Sequence, residues 1–281
     1  SFVLLKNNDQ LLPLKKSGTI ALIGPLASNH RNMLGTWAVS GDPEKSISVM
    51  EGLKNVAGDA VNIIYAKGAN ISDDSILVKR TNVFGPEIEP ESRRPEEMLQ
   101  EAVAAAEKSD VALVCVSTMG NEGEGHDRPS MDLPDGHAAL IRAVAAVNKR
   151  TIVVLNNGTP VTMKNWLAQV PAVVEAWLPG QEGGTALAAI LFGDVNPSGK
   201  LPDTLAANRD DYSDAGNFPG KNNEVHYAEG IYVGYRHFDK AGIKPLFPFG
   251  YGLSYTTFDY RHLQLSSSQL KPDGTVTASV N

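Results

Sequence analysis

The residues best suited to chemistry crowd into one short stretch, Gly120 to Arg128, which reads GNEGEGHDR. Glu122 and Glu124 stand two positions apart, each followed by glycine, with His126, Asp127 and Arg128 close behind. A carboxylic acid can donate a proton to a departing oxygen at neutral pH if burial or a neighbouring negative charge raises its pKa toward about 6. The paired glutamates and Asp127 supply such charge. Arg128 opposes the effect if it pairs with either glutamate, and simply holds the loop if it pairs with Asp127. Glycine permits backbone conformations that other residues resist, so the stretch reads as a loop that presents its carboxylates. A solvated acidic surface loop is the competing explanation. The mix of Glu, His126 and Asp lacks the ordered spacing of a calcium loop or a zinc site, so no metal or other cofactor is expected. His126 has neither a nucleophile-elbow serine nor a cysteine near it, which leaves a hydrolase triad unsupported.

The elements around the stretch must position it. It follows a continuous apolar run, Val111 to Ser117 (VALVCVS), and precedes a helical pattern from Asp135 to Val147. Further apolar runs, Thr19 to Gly24 (TIALIG), Val61 to Ala66 (VNIIYA), Thr151 to Asn156 (TIVVLN) and Ala172 to Trp177 (AVVEAW), read as buried strands. Helical segments are expected at Ser48 to Val56, Glu96 to Lys108 and Gly184 to Phe192, the second with Met98, Ala102, Ala105 and Ala106 at helical spacing. Strand and helix alternate through short turns, which predicts a parallel sheet with helices on both faces. Right-handed crossovers put the carboxyl ends of such strands on one edge, where ligands bind in open α/β sheets. The loops after Ser117, Asn156 and Trp177 therefore share that edge. Glu182, in GQEGG, offers another carboxylate there, although its place before Gly184 to Phe192 suits helix capping.

After Gly193 the character changes. Arg209 to Glu224 is polar and irregular, whereas earlier in the chain Asn70 to Arg94 reads as a polar, extended connection and Trp37 falls in a Gly-flanked surface loop. The aromatics Tyr232, Tyr235, Phe247, Phe249, Tyr251 and Tyr255 either line a sugar site or pack between domains. Beyond Phe258, Leu263 to Leu265 and Thr275 to Val280 alternate around a PDG turn, like the first strands of an all-β domain.

The chain has 281 residues, 42% hydrophobic, which supports a sizeable core. A net charge of −7 argues against nucleic acid as a partner. No apolar run approaches the roughly 18 residues that span a membrane. The one cysteine, Cys115, lies inside an apolar strand and reads as a core residue. The chain begins SFVLLKNN, without an initiator methionine or signal peptide, and stops within TVTASVN, which predicts a piece of something longer.

Taken together, the segments SFVLLKNNDQLLPL, TIALIGPLA, NEGEGHDRPSMDLP, VLNNGTPV, AWLPGQEGG, LFGDVNPSGKLP, EGIYVGYRHFDK and PLFPFGYGLSYTTF resemble glycoside hydrolase family 3, the β-glucosidase and β-xylosidase family. The resemblance implies a mostly parallel α/β sandwich of about six strands over residues 1–254. It also implies that residues 255–281 open a fibronectin-III-like domain. Family members are retaining exo-glycosidases acting on β-linked glucosides or short oligosaccharides. Their nucleophile is an aspartate on a (β/α)₈ barrel, and their general acid/base is a glutamate on a sandwich loop. The family form G-E-G-[aromatic or His]-D-R falls on Gly123 to Arg128 and assigns the acid/base to Glu124, with Glu122 as runner-up and His126, Asp127 and Arg128 beside the substrate. These residues do not include such a barrel, so the chain alone is expected to be inactive. A β-xylosidase of the same family and a non-catalytic carbohydrate-binding or scaffolding module are the alternatives. Periplasmic or secreted location is expected if the parent enzyme carries a signal peptide.

Overall fold

Runs of Val, Ile, Leu and Ala without polar interruption suit a sheet buried on both faces, where there is no wet side to alternate toward. The computed structural model describes residues 2–35, 37–38, 40–72, 91–118, 128 and 130–281, and it places these runs at its centre. The strands are β1 (Val3–Asn7), β2 (Gly18–Ile23), β3 (Val61–Ala66), β4 (Val111–Ser117), β5 (Thr151–Asn156) and β6 (Ala172–Glu175), and they form one sheet in the order β1-β6-β5-β4-β2-β3. β2 to β6 run parallel, and every residue of β4, β5 and β6 is buried. Cys115 is fully buried in β4, and burial pushes its thiol pKa up to about 12.

The helices divide between the two faces. On one, α1 (Val49–Ala57) and α4 (Gly183–Leu191) cover Leu22, Leu113, Val154 and Val174. On the other, α2 (Pro95–Glu107) and α3 (Asp135–Val147) cover Ala21, Val114, Val116 and Val153, with Trp166 and Phe247 filling out the layer. α1 starts on a capping box: Ser48 Oγ accepts from Glu51 N–H at 3.3 Å, and the Glu51 carboxylate accepts from Ser48 N–H at 2.9 Å. α1 and α4 meet backbone to backbone. A Cβ added to Gly52 would lie 2.0 Å from the Gly184 carbonyl oxygen, and one added to Gly184 would lie 2.0 Å from that of Ser48.

Two features go beyond the sequence reading. The Phe2 to Leu5 run contributes an edge strand, β1, antiparallel to β6 with Val3 opposite Glu175 and Asn7 opposite Ala172. The aromatic-rich part after Gly193 straps across this edge: Leu253 N–H donates to Leu4 O at 2.8 Å and the Tyr251 hydroxyl to Leu5 O at 3.1 Å. Phe247 is buried 5.0 Å from the Tyr251 ring, and the Tyr255 hydroxyl donates to Ile190 O at 2.8 Å, so these three pack the fold. Tyr235 begins a short helix, α5 (Tyr235–Ala241), that the sequence pattern does not signal. Trp37 is 61% exposed, as its loop setting implied. A separate antiparallel pair, β7 (Gln264–Leu265) and β8 (Ala278–Ser279), follows at the carboxyl end, exposed throughout.

The glycine crossing gives a direct test. Gly184→Ala forces a methyl group into the Ser48 backbone and should lower the unfolding free energy by about 3 kcal/mol, read as a reduced urea midpoint. A midpoint unchanged from the parent would mean that α1 and α4 do not meet this closely.

Candidate active site

The strand order opens one place along the carboxyl edge. β2 lies between β3 and β4. The connection from β2 to β3 passes through α1 on one face, whereas those from β3 to β4 and β4 to β5 pass through α2 and α3 on the other. The chain therefore leaves β2 and β4 toward opposite faces, the arrangement that creates a ligand crevice in doubly wound sheets. The β2–β4 register ends at Ile23 opposite Val114, while β4 continues alongside β5 to Ser117 opposite Asn156. Gly24, with φ of +122°, makes the first turn close against β4. Its N–H donates to Ala66 O at 3.1 Å, and an added Cβ would sit 2.0 Å from Cys115 O. A side chain there would push the turn off its neighbour.

The segment holding the predicted acid lies in sequence between Thr118, just past β4, and Arg128. Glu122, Glu124, His126 and Asp127 lie outside the described residues. Arg128 lies within them. Its Nη2 donates to Thr159 Oγ1 at 2.6 Å and to Pro160 O at 2.9 Å, in the turn that follows β5. The sequence offered Arg128 the glutamates or Asp127; the structure adds partners more than thirty positions downstream.

Behind that turn the edge is polar but buried. Ser117, Thr118, His137, Asn156, Asn157 and Glu175 are each at most 1% exposed. Asn157 Nδ2 donates to Thr159 O at 2.9 Å and to Glu175 Oε2 at 3.3 Å, while Glu175 Oε1 accepts from Trp177 N–H at 3.0 Å. Trp177 holds φ of +55°, a conformation rare for a bulky side chain. The His137 ring ties the end of β4 to the turn after β3, with Nδ1 2.9 Å from Ser117 O and Nε2 2.8 Å from Asn70 O. The sequence reading missed Asn157, His137 and Glu175 as site residues. The available signal was a carboxylate inside the apolar run AVVEAW. Glu182 takes the N-cap position of α4 but makes no side-chain capping bond, so its exposed carboxylate faces solvent beside the helix amino terminus.

Charge also gathers just past β3, the edge strand beside β2. Lys67, just past β3, pairs with Glu91 at 3.2 Å, and Arg93 grips the same carboxylate through Nε at 3.0 Å and Nη2 at 2.7 Å. Arg93 first, and Lys67 after it, hold the Glu91 carboxyl well below the usual carboxylate range. Among the described residues, no group of three or more His, Cys, Asp or Glu side chains could hold a metal ion, and no helix is long and apolar enough to cross a membrane.

Three comparisons bear on this geometry. Residues 2–255 match the family model for the glycosyl hydrolase family 3 C-terminal domain. A periplasmic β-glucosidase of Salmonella typhimurium is 42% identical over 293 aligned residues, covering 100% of this chain and 37% of that protein. A β-xylosidase of Formosa agariphila is 38% identical, covering 100% of this chain and 36% of that one. The solved structure of DesR, a β-glucosidase from Streptomyces venezuelae in complex with D-glucose, superposes with a TM-score of 0.83 at 28% identity, covering 99% of this chain and 46% of that one. The chain thus spans about a third of the length of the curated relatives it matches.

The Glu91 clamp predicts a pH signature. A carboxyl whose folded pKa is depressed contributes stability above its unfolded value, about 4.3, and loses it as pH falls toward the folded value. Glu91→Gln should therefore be less stable than the parent at pH 6 in urea unfolding, with the gap closing below about pH 4. A gap that stays constant down to pH 2 would show that the ion pair contributes nothing.

Proposed function

The chain belongs to glycosyl hydrolase family 3, as its C-terminal domain, and from that premise we propose that it supplies the general acid/base of a retaining exo-β-glycosidase. The substrate we infer is a terminal, non-reducing β-D-glucosyl residue on a glucoside or short oligosaccharide. One observation carries the reading. β4 ends at the crevice where the chain diverges, the motif Gly123 to Arg128 follows it in sequence, and Arg128 is fastened to the neighbouring turn at Thr159 and Pro160.

In this reading Glu124 protonates the glycosidic oxygen as the bond breaks, then removes a proton from the water that releases the sugar. The second carboxyl of a retaining pair sits about 5 to 5.5 Å from the first and attacks the anomeric carbon. We assign that nucleophile to a (β/α)₈ barrel outside these residues. Two observations support a partner domain. The relatives run to nearly three times this length. Large apolar side chains, Val225, Tyr227, Ile231, Val233 and Phe249, are also exposed, Tyr227 by 85% and Ile231 by 71%. Surfaces of that kind are normally covered. Two carboxyls suffice for the reaction, so no cofactor is required. Residues 255–281, with the β7–β8 pair, fit the start of a further all-β domain. Export to the periplasm or beyond follows if the parent carries a signal peptide, in line with the periplasmic relative. β-Xylosidase action is the second reading, favoured by the Formosa agariphila relative.

The test uses aryl β-glucosides. This chain alone should show no turnover. In the barrel-bearing protein, Glu124→Gln should lower turnover of disaccharides by about 10²- to 10⁴-fold, and azide should restore part of the rate on substrates with good leaving groups. Glu122→Gln should stay near the parent rate. A parent-like rate for Glu124→Gln, or turnover by the chain alone, would refute the assignment.

A further inference from the structure

Glu175 ends β6, a strand whose other residues are Ala and Val, and it is 1% exposed. Taking a carboxylate out of water costs several kcal/mol unless fixed donors replace its hydration. Its donors lead somewhere specific. One oxygen accepts from Trp177 N–H at 3.0 Å, within β6's own following turn. The other accepts from Asn157 Nδ2 at 3.3 Å, and the same amide holds Thr159 O at 2.9 Å. Thr159 Oγ1 in turn receives Arg128 Nη2 at 2.6 Å. A continuous hydrogen-bonded path therefore runs from the buried end of β6, across the turn after β5, to the last residue of the acid-bearing motif.

We propose that Glu175 is a positioning residue: its buried carboxylate fixes the turn at Asn157 to Pro160 on which Arg128 rests, and so sets where Arg128 is held. The consequence for catalysis rests on the function proposed above; the mechanical link does not. Glutamine keeps the shape of Glu175 but has one acceptor oxygen instead of two. In Glu175→Gln an NH₂ must therefore oppose either Asn157 Nδ2 or Trp177 N–H. The competing possibility is that Glu175 serves only the unusual backbone of Trp177, whose φ is +55°.

Amide hydrogen exchange on this chain separates the two. Glu175→Gln should speed exchange in the peptide covering residues 156–162 and in the one containing Arg128. Thr159→Val should do the same in the Arg128 peptide, and the double variant should add nothing to Glu175→Gln there, because both cut one path. Exchange that changes only around residues 176–180, or that adds in the double variant, overturns the proposal. If Glu175→Gln does not fold, Asn157→Ala with Thr159→Val runs the same cycle with the same two outcomes. In the barrel-bearing enzyme, Glu175→Gln should lower kcat about tenfold on aryl glucosides with poor leaving groups, with KM and the rate on dinitrophenyl glucoside within about twofold. Equal losses on both substrates would mean general destabilisation and would also overturn it. A parent-like Glu124→Gln alongside intact exchange coupling would refute the proposed function while leaving the link between Glu175 and Arg128 standing.

Discussion

β2 sits between two parallel partners, and right-handed crossovers allow its neighbours only one arrangement of helices. α1 must return on one face, and α2 and α3 on the other. The crevice at the carboxyl edge is a by-product of that handedness, since two chains leaving adjacent strands toward opposite faces cannot cover the gap between them. The details of the edge serve the same geometry. Gly24 lets the turn after β2 lie against Cys115 O without a side chain in the way. β4 and β5 run on past the end of β2, as far as Ser117 opposite Asn156. Gly52 and Gly184 let α1 and α4 close over the opposite face at backbone distance.

Much of this architecture is legible in the sequence, because buried parallel strands announce themselves. TIALIG, VALVCVS and TIVVLN have no polar face, and the helices between them show apolar residues at helical spacing and end near their expected limits. The order of the strands is not legible. Nothing in TIALIG says that it lies between strands whose sequences begin at Val61 and Val111. β1 escapes for a related reason: VLLKN is a strand only because β6, some 170 positions away, offers it a free edge. The site divides in the same manner. Arg128 stands out in its motif, yet its partners Thr159 and Pro160 come from another strand's turn, and no local spacing links them. Glu175 was visible as a lone carboxylate in an apolar run, but what it holds depends on the pairing of β5 with β6.

The account that results is one of divided labour. Acid chemistry needs a proton donor held within a few tenths of an ångström of its productive place, and loops achieve that only when rigid neighbours fix them. In the proposed reading the fixing elements are a buried row of polar groups at the ends of β4, β5 and β6, with His137 joining β4 to the turn after β3 and Glu175 joining β6 to the turn after β5. In the proposed function the partner carboxyl comes from elsewhere, and exposed apolar side chains such as Tyr227 and Ile231 would be covered by a neighbouring domain. With donor and nucleophile on two bodies, their distance would be a property of the docking.

The claim at the centre of this account is that the attacking carboxylate lies outside these 281 residues while the proton donor lies within them. Labelling the barrel-bearing protein with a 2-deoxy-2-fluoroglucosyl inhibitor, followed by peptide mass spectrometry, reads this directly. The account predicts a glycosylated aspartate on a peptide from the barrel and none from this chain. A label on Glu122, Glu124 or any other carboxylate of the chain would contradict it.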